Sequence, residues 1–145
     1  MKYKQLAISS LIFLGVPALA SAATLSLSPG SQSVSAGQIF TVSVVVNTGG
    51  QAVDGTDLYL NFNPTLFQVQ DDNTTIAGIQ IGRGTLFPST SSNSADNATG
   101  KIQFSQVSYD PNGGPAQPFN GQGTLATIRF MALTQGTAPV TFTFT

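Results

Sequence analysis

Several short stretches of the chain alternate apolar and polar residues, which is typical of β-strands that bury one face. The clearest stretch is residues 57–62, where Leu58, Leu60 and Phe62 share one face. Turn-forming residues separate the stretches; Pro64, for example, cannot donate to a strand ladder and predicts a turn. On this pattern, strands are predicted at residues 25–28, 39–46, 57–62, 66–69, 76–81, 85–89, 101–109, 123–133 and 139–144.

Two longer segments lack the alternation. Residues 89–100 are rich in Ser, Asn, Asp, Thr and Ala, which predicts an exposed loop. Residues 110–123 are rich in Gly and Pro and are long for a hairpin, so we expect them to cross between two sheets. Short strands separated by frequent turns favour an all-β fold, a two-sheet β-sandwich of jelly-roll or Greek-key topology, forming one domain over residues 23–145.

Composition supports this fold class. After residue 22 the chain has no Glu and a single Lys and Met, whereas Thr, Val, Ser and Phe are plentiful, so β-forming residues far outnumber good helix formers. The chain also has no Cys, and its stability must therefore come from the hydrophobic core rather than from disulfides.

The first 22 residues have the organisation of a secretory signal peptide. Lys2 and Lys4 precede an apolar stretch at residues 6–20, and residues 20–22 read Ala-Ser-Ala, a small-x-small cleavage pattern. The alternative is an uncleaved membrane anchor, which the shortness of the apolar stretch disfavours. We therefore expect a secreted protein, located outside the cell, on its surface or in the periplasm.

Charge and residue types exclude several functions. Without residues 1–22, three basic residues face six aspartates, a net charge of −3, which argues against nucleic acid or anionic membrane as a partner. The absence of His, Cys and Glu excludes Ser-His-Asp and Cys-His catalytic groups and the usual zinc sites. We predict no enzyme activity, no catalytic residue, no metal site and no cofactor.

The Asp residues that remain lie beside predicted turns. Residues 71–73 (Asp-Asp-Asn) and 110–112 (Asp-Pro-Asn) offer oxygen ligands that suit calcium, but neither has the ligand count or spacing of a known loop. Glycosidase action would need two carboxyls about 5–10 Å apart in space. Asp54 with Asp57, or Asp71 with Asp72, are near in sequence, yet each lies beside a turn, where Asp is expected for backbone hydrogen bonding. The turn interpretation is favoured for each of them.

Three segments together resemble the cohesin modules of bacteria. The first is residues 58–69, a strand followed by an Asn-Pro turn and a short strand beginning at Leu66. The second is residues 123–130, Gly-Thr-Leu-Ala-Thr-Ile-Arg-Phe, and the third is the opening phrase at residues 35–42. The resemblance covers about residues 24–144 and implies a jelly-roll sandwich that binds protein.

In cohesins, the flat outer face of one sheet binds the dockerin of a partner enzyme, and an Asn-x-Asp pair entering the central strand often takes part. The matching positions here are Gly55 and Asp57, so the Asp is present and the Asn is replaced. Cohesins also usually continue into a further strand that pairs beside the first. The resemblance therefore implies either a C-terminally truncated sequence or a first strand with an open edge.

Alternation then selects the outward positions of the proposed binding face. The inward partners Leu58, Leu60, Ile102 and Phe104 place their neighbours on the outside. The candidate partner-binding residues are Asp57, Tyr59, Asn61, Gln103, Ser105, Thr127 and Arg129. Two alternatives remain open: a carbohydrate-binding module, although the chain has no Trp for a sugar platform, and a structural surface or matrix protein that assembles through the first-strand edge.

Overall fold

The computed structural model describes residues 22–143, which form nine strands and no helix. The strands are β1 (Thr24–Ser28), β2 (Ile39–Asn47), β3 (Gly55–Asn61), β4 (Phe67–Val69), β5 (Gly82–Arg83), β6 (Ser89–Asp96), β7 (Lys101–Val107), β8 (Gln122–Ala132) and β9 (Thr141–Phe142).

The strands form two antiparallel sheets. The back sheet has the order β1-β2-β8-β4, with β5 also paired to β8, and the front sheet has the order β6-β7-β3-β9. The chain changes sheet between β7 and β8, so the prediction that the Gly- and Pro-rich segment crosses between sheets is confirmed. The predicted two-sheet sandwich of jelly-roll type is confirmed as well.

The core lies between the sheets and is made by the alternating residues. From the front sheet, Leu58 and Leu60 on β3 and Phe104 on β7 are at most 1% exposed. From the back sheet, Ile128 and Phe130 on β8 are fully buried. Each such side chain stabilises the fold by roughly 1.5–3 kcal/mol.

Aromatic rings close one end of this core. Phe130 stacks with Phe40 at a centroid distance of 5.5 Å and meets Phe62 edge-on at 5.4 Å. Phe67, from the short strand β4, joins the same cluster at 5.9 Å from Phe130. The strand after the Asn-Pro turn therefore contributes to the core through its first residue.

The prediction of a loop over residues 89–100 is wrong. Residues 89–96 are the edge strand β6, paired along β7 with a bulge between Thr90 and Ser92, and only residues 97–100 form the connection to β7. Edge strands have little apolar surface to bury, so β6 carries mostly polar residues and its composition is that of a loop.

The predicted strands at residues 76–81 and 85–89 are also wrong. In that region the structure has turns, a single bridge between Ile79 and Ala95, and the two-residue strand β5. Gly78, with φ of +94°, lies in the left-handed region and interrupts extended backbone. The last predicted strand is limited to β9, which pairs with β3, and its position 144 lies outside the described residues.

Side-chain amides hold the connection from β4 to β6, which runs over residues 70–88. The Asn93 amide bonds the Ile81 backbone twice, accepting from its N–H at 2.9 Å and donating to its carbonyl at 2.8 Å. Asn97 does the same with Val69, at 2.8 and 3.0 Å. Asn97 therefore bonds the edge of β4 that faces away from β8, and Asn93 bonds the backbone just before β5, so each amide takes the place of a strand partner.

The predicted signal peptide at residues 1–22 lies outside the described residues, apart from Ala22. Within the described range, no helix has the length and apolarity needed to cross a membrane. Strand β1 is an end strand of the back sheet, and in residues 22–143 it pairs only with β2.

Candidate protein-binding face

Strands β3 and β7 pair without a bulge over their whole length and form the centre of the front sheet. Their outward residues stand in three directly opposed pairs, Asp57 with Ser105, Tyr59 with Gln103, and Asn61 with Lys101. Opposed residues are about 5 Å apart and successive pairs about 7 Å apart along the strands. We call this six-residue surface the β3–β7 face.

The alternation of the sequence fixes which side chains reach this face. Leu58 and Leu60 are buried from one side of β3, and Ile102 and Phe104 from the same side of β7. Their sequence neighbours therefore point outward. Shifting either strand by one residue would expose these apolar side chains, so the core holds the face in register.

The face offers mixed polar chemistry around one aromatic ring. Asp57, Asn61 and Gln103 are exposed, and Tyr59 is half-buried between them. Ser105 is only 8% exposed, and its hydroxyl accepts a hydrogen bond from the Ser91 hydroxyl at 2.9 Å. The Asp57, Tyr59, Asn61 and Gln103 side chains are therefore accessible to a partner. Ser105 is largely buried and hydrogen-bonded within the sheet.

The structure adds three polar residues to the candidates. Lys101 lies opposite Asn61, and β6 adds exposed Ser94 beside Gln103 and exposed Asp96 beside Lys101. In the third row, Ser92 beside Ser105 is half-buried. Lys101 has the same alternation phase as Gln103, so the sequence pattern contained the signal that identifies it. Ser94 and Asp96 gave no such signal, because β6 reads as a loop.

Two predicted members of the face lie elsewhere. Thr127 and Arg129 are on β8 in the back sheet, where they pair with Ser43 and Thr41 of β2. Both do point outward, as alternation predicted, but on the opposite side of the sandwich. Grouping them with Asp57 was wrong because alternation separates inside from outside and carries no information on which sheet holds a strand.

The position of the replaced Asn has no room for a side chain. A Cβ atom at Gly55 would lie 2.7 Å from the Gln106 carbonyl oxygen and 3.1 Å from the Val107 Cγ1. The first of these contacts is with backbone, which cannot move aside cheaply. Gly55 thus permits a close approach of β3 to β7, and the pair begins with Asp57 as its first outward side chain.

Asp96, at the border of the face, has a perturbed acidity. The Thr99 hydroxyl donates to its carboxylate at 2.6 Å and the Ala98 N–H at 2.7 Å, and these bonds hold the pKa of Asp96 below its usual range. The charge of Lys101 acts in the same direction. The Asp96 carboxylate therefore stabilises the β6–β7 turn through these hydrogen bonds.

The acidic turns that were considered for calcium bond the backbone instead. The Asp71 carboxylate accepts from the N–H groups of Asn73 and Gln80, at 3.1 and 3.0 Å, and Asp110 accepts from the Asn112 N–H at 2.8 Å. The turn interpretation of these residues is confirmed. Within residues 22–143, no three acidic, His or Cys side chains are grouped so that they could share a metal ion.

Comparison with known proteins identifies the fold. The family model "Cohesin domain" matches residues 25–145. A type II cohesin domain from the cellulosome of Acetivibrio cellulolyticus superposes with a TM-score of 0.64 at 20% identity, covering 86% of this chain and 77% of that chain. A search of curated protein sequences gives no match.

Structures of complexes are among the similar ones. A type I cohesin–dockerin complex from Clostridium thermocellum gives a TM-score of 0.61 at 14% identity, covering 84% of this chain and 82% of that chain. A type II cohesin–X-dockerin complex from Acetivibrio cellulolyticus gives 0.55 at 18% identity, covering 86% and 78%. At these identities the structures establish a shared fold.

Proposed function

We propose that this chain, which belongs to the cohesin domain family, is a non-catalytic module that binds a dockerin-type partner through the β3–β7 face. The family match over residues 25–145 is the observation that carries the proposal. Related structures are described as complexes of cohesins with dockerins, which supports the class of partner. The partner's own identity is set by the side chains of this face.

The β3–β7 face has the properties of a recognition surface. Two unbulged strands at the sheet centre carry it, so its backbone is already ordered and little backbone entropy is lost on binding. Tyr59 provides an aromatic ring at the middle of the polar rows, and tyrosine is among the residues that contribute most at interfaces. Asp57 and Lys101 place a negative and a positive charge at opposite corners, so a partner with complementary charges would bind in one orientation.

The residue types available support a binding role over catalysis. The chain has no His, Cys or Glu, and its Asp side chains at positions 71, 96 and 110 are engaged with turn backbone. The proposed location is outside the cytoplasm, and residues 1–22 support it with their basic start, apolar stretch and Ala-Ser-Ala ending.

Binding to purified type I and type II dockerin modules tests this function. The affinity of the chain for each module is measured by titration calorimetry, first with the wild type and then with Asp57→Ala and Tyr59→Ala. We expect at least one dockerin class to bind, and each variant to weaken that binding about tenfold or more, because Tyr59 lies at the middle of the face and Asp57 carries its negative charge.

The back sheet provides the matched controls. Thr127→Ala and Arg129→Ala change outward residues on the opposite side of the sandwich, so they should leave the affinity unchanged. Equal losses from Arg129→Ala and Asp57→Ala would contradict the assignment of the face. Failure of every dockerin to bind the folded wild type would overturn the dockerin-type partner itself.

A further inference from the structure

A cavity of about 360 Å³ with a mixed polar and apolar lining lies at the side of the sandwich, between the bulged edge of β6 and the β4–β6 connection. Its volume is at the lower end of the range of small-molecule sites, roughly 300–1,000 Å³. Gln80 and Ile81 are its buried residues, and the exposed residues Asp72, Ile76 and Arg83 stand at its rim. We call it the β6-edge cavity.

The cavity exists because two segments separate after a short contact. Ile79 bridges to Ala95 on β6, and the Asn93 amide then spans the gap to Ile81. Beyond that point β6, which stays paired with β7, has a bulge between Thr90 and Ser92. The space left between the segments is thus fixed by backbone hydrogen bonds and a bulge, which makes the cavity preformed.

The groups around the cavity are suited to hydroxyl recognition. Asp72 supplies an acceptor, and Arg83 keeps donors beyond the one that bonds the Pro88 carbonyl. The Ser91 hydroxyl donates to Ser105 and can still accept, and the Asn93 amide, which bonds Ile81, keeps one N–H to donate. Ile76, whose side chain is 55% exposed, adds an apolar surface at the rim. One negative and one positive charge balance each other, so the site has no net preference for an ion.

One polar atom of the cavity lining is buried without a hydrogen-bond partner. Gln80 is 6% exposed, and its amide nitrogen donates to the Ala77 carbonyl at 3.1 Å, but its Oε1 has no hydrogen-bond partner. An unsatisfied buried carbonyl destabilises the fold. Because Oε1 has almost no exposed surface, the Gln80 amide must rotate toward the cavity before a hydroxyl donor bound there can reach it.

We propose that the β6-edge cavity binds a neutral polyhydroxylated ligand, one or two sugar units of a saccharide. Such a ligand presents hydroxyls that donate and accept together with an apolar C–H face, which matches the amides, charged groups and Ile76 around the cavity. The site lies at the β6 edge of the front sheet, two strands from Asp57 on β3, although its Ser91 bonds Ser105 at the border of the β3–β7 face. It also differs from an aromatic sugar platform, since no aromatic residue lines it.

Titration of the isotopically labelled mature chain with disaccharides tests the proposal by NMR. Cellobiose, xylobiose and maltose are the probes, at millimolar concentrations, with glycylglycine as the charged comparison. We expect at least one disaccharide to shift the backbone amides of residues 72–83 and 90–93, and glycylglycine to leave them unchanged. Asp72→Ala should weaken the affinity about tenfold, as expected for loss of a charged hydrogen-bond acceptor.

Matched variants separate this site from the rest of the surface. Ile76→Ala should weaken binding several-fold, whereas Ile39→Ala, which truncates an equally exposed isoleucine on β2, should not. Asp57→Ala should leave saccharide binding intact even if it abolishes dockerin binding, so the two proposals can fail independently. No localised shifts with any of the three disaccharides, or shifts with glycylglycine alone, would overturn the proposal.

Discussion

The β3–β7 pair and the β4–β6 region hold their shape by different means. In the β3–β7 pair, alternating residues such as Leu58 and Phe104 enter the core and leave the outward positions free for recognition. In the β4–β6 region, Asn93 and Asn97 supply hydrogen bonds that strands would otherwise make. One region is stabilised mainly by apolar burial and the other mainly by polar side chains bonded to backbone.

The two regions differ in which of their polar residues can be substituted without loss of the fold. On the β3–β7 face, outward residues contribute little to the fold, so they can vary with the partner. In the β4–β6 region, polar residues that resemble those of a loop hold the backbone in place. The same residue type, Asn, is therefore replaceable at position 61 and structural at position 93.

The largest effect is expected in the core of the β3–β7 pair. Phe104→Ala removes a fully buried ring and should lower the free energy of unfolding by about 3–5 kcal/mol. Gln103→Ala, one residue away but exposed, should change it by less than about 0.5 kcal/mol. Urea denaturation followed by fluorescence or circular dichroism measures both; similar losses for the two variants would contradict the division of roles.

A somewhat smaller effect is expected for the polar bridge of the β4–β6 region. Asn93→Ala leaves the N–H and carbonyl of Ile81 without their partners and should cost about 2–4 kcal/mol. Amide hydrogen exchange should quicken over residues 79–83, where the bridge acts, before it quickens in β7. Asn112→Ala, in an exposed turn, is the control. An unchanged stability of Asn93→Ala would show that core burial alone holds this region.

This contrast explains how far the sequence could predict the fold. The strands around Val44, Leu60, Phe104 and Ile128 were predicted because burial of one face imposes a period of two. Strand β6 was not, because an edge strand buries little and its stability comes from pairing with β7 and from its own amide side chains. Which backbone group an Asn side chain reaches depends on tertiary contacts, and no local pattern encodes that.

The candidate site was also predicted only in part, because alternation gives the outward positions but not the order of strands in a sheet. Five predicted residues share one face because β3 and β7 are neighbours: Asp57, Tyr59, Asn61, Gln103 and Ser105. The sequence pattern was compatible with that pairing but did not require it. Strand order in a sandwich results from how the crossovers pack. For that reason the residues on β8 were placed in the wrong sheet, and the β6-edge cavity, which depends on a bulge and a bridging amide, left no trace in the pattern.

A moderate effect is expected where the two strands approach most closely. Gly55→Asn would restore the Asn-x-Asp pair of the family, but its Cβ meets the Gln106 carbonyl oxygen at 2.7 Å. We expect a loss of about 1–3 kcal/mol in unfolding free energy and no gain in dockerin affinity. Gly30→Asn is the control, because no atom lies within 4 Å of a Cβ at that position. Tighter dockerin binding by a stable Gly55→Asn variant would contradict the close-packing argument.

The smallest effect concerns acid stability at the turn that joins the two regions. Hydrogen bonds from the Thr99 hydroxyl and the Ala98 N–H hold the pKa of Asp96 below its usual range in the folded state. A carboxyl group with a lowered folded-state pKa stabilises the protein above its unfolded-state pKa, and that contribution disappears as the pH falls through the folded-state value. Asp96→Asn should therefore be less stable than the wild type near neutral pH and converge with it on acidification.

Urea denaturation of both proteins at a series of pH values measures this convergence, and carbon-detected NMR titration of the Asp96 carboxyl locates its midpoint. Because the other five aspartates are common to both proteins, the difference between the two stability curves isolates Asp96. A midpoint at or above that of an ordinary Asp, or a stability difference independent of pH, would show that the turn is held by Gly100, whose φ is +70°, and by the strands alone.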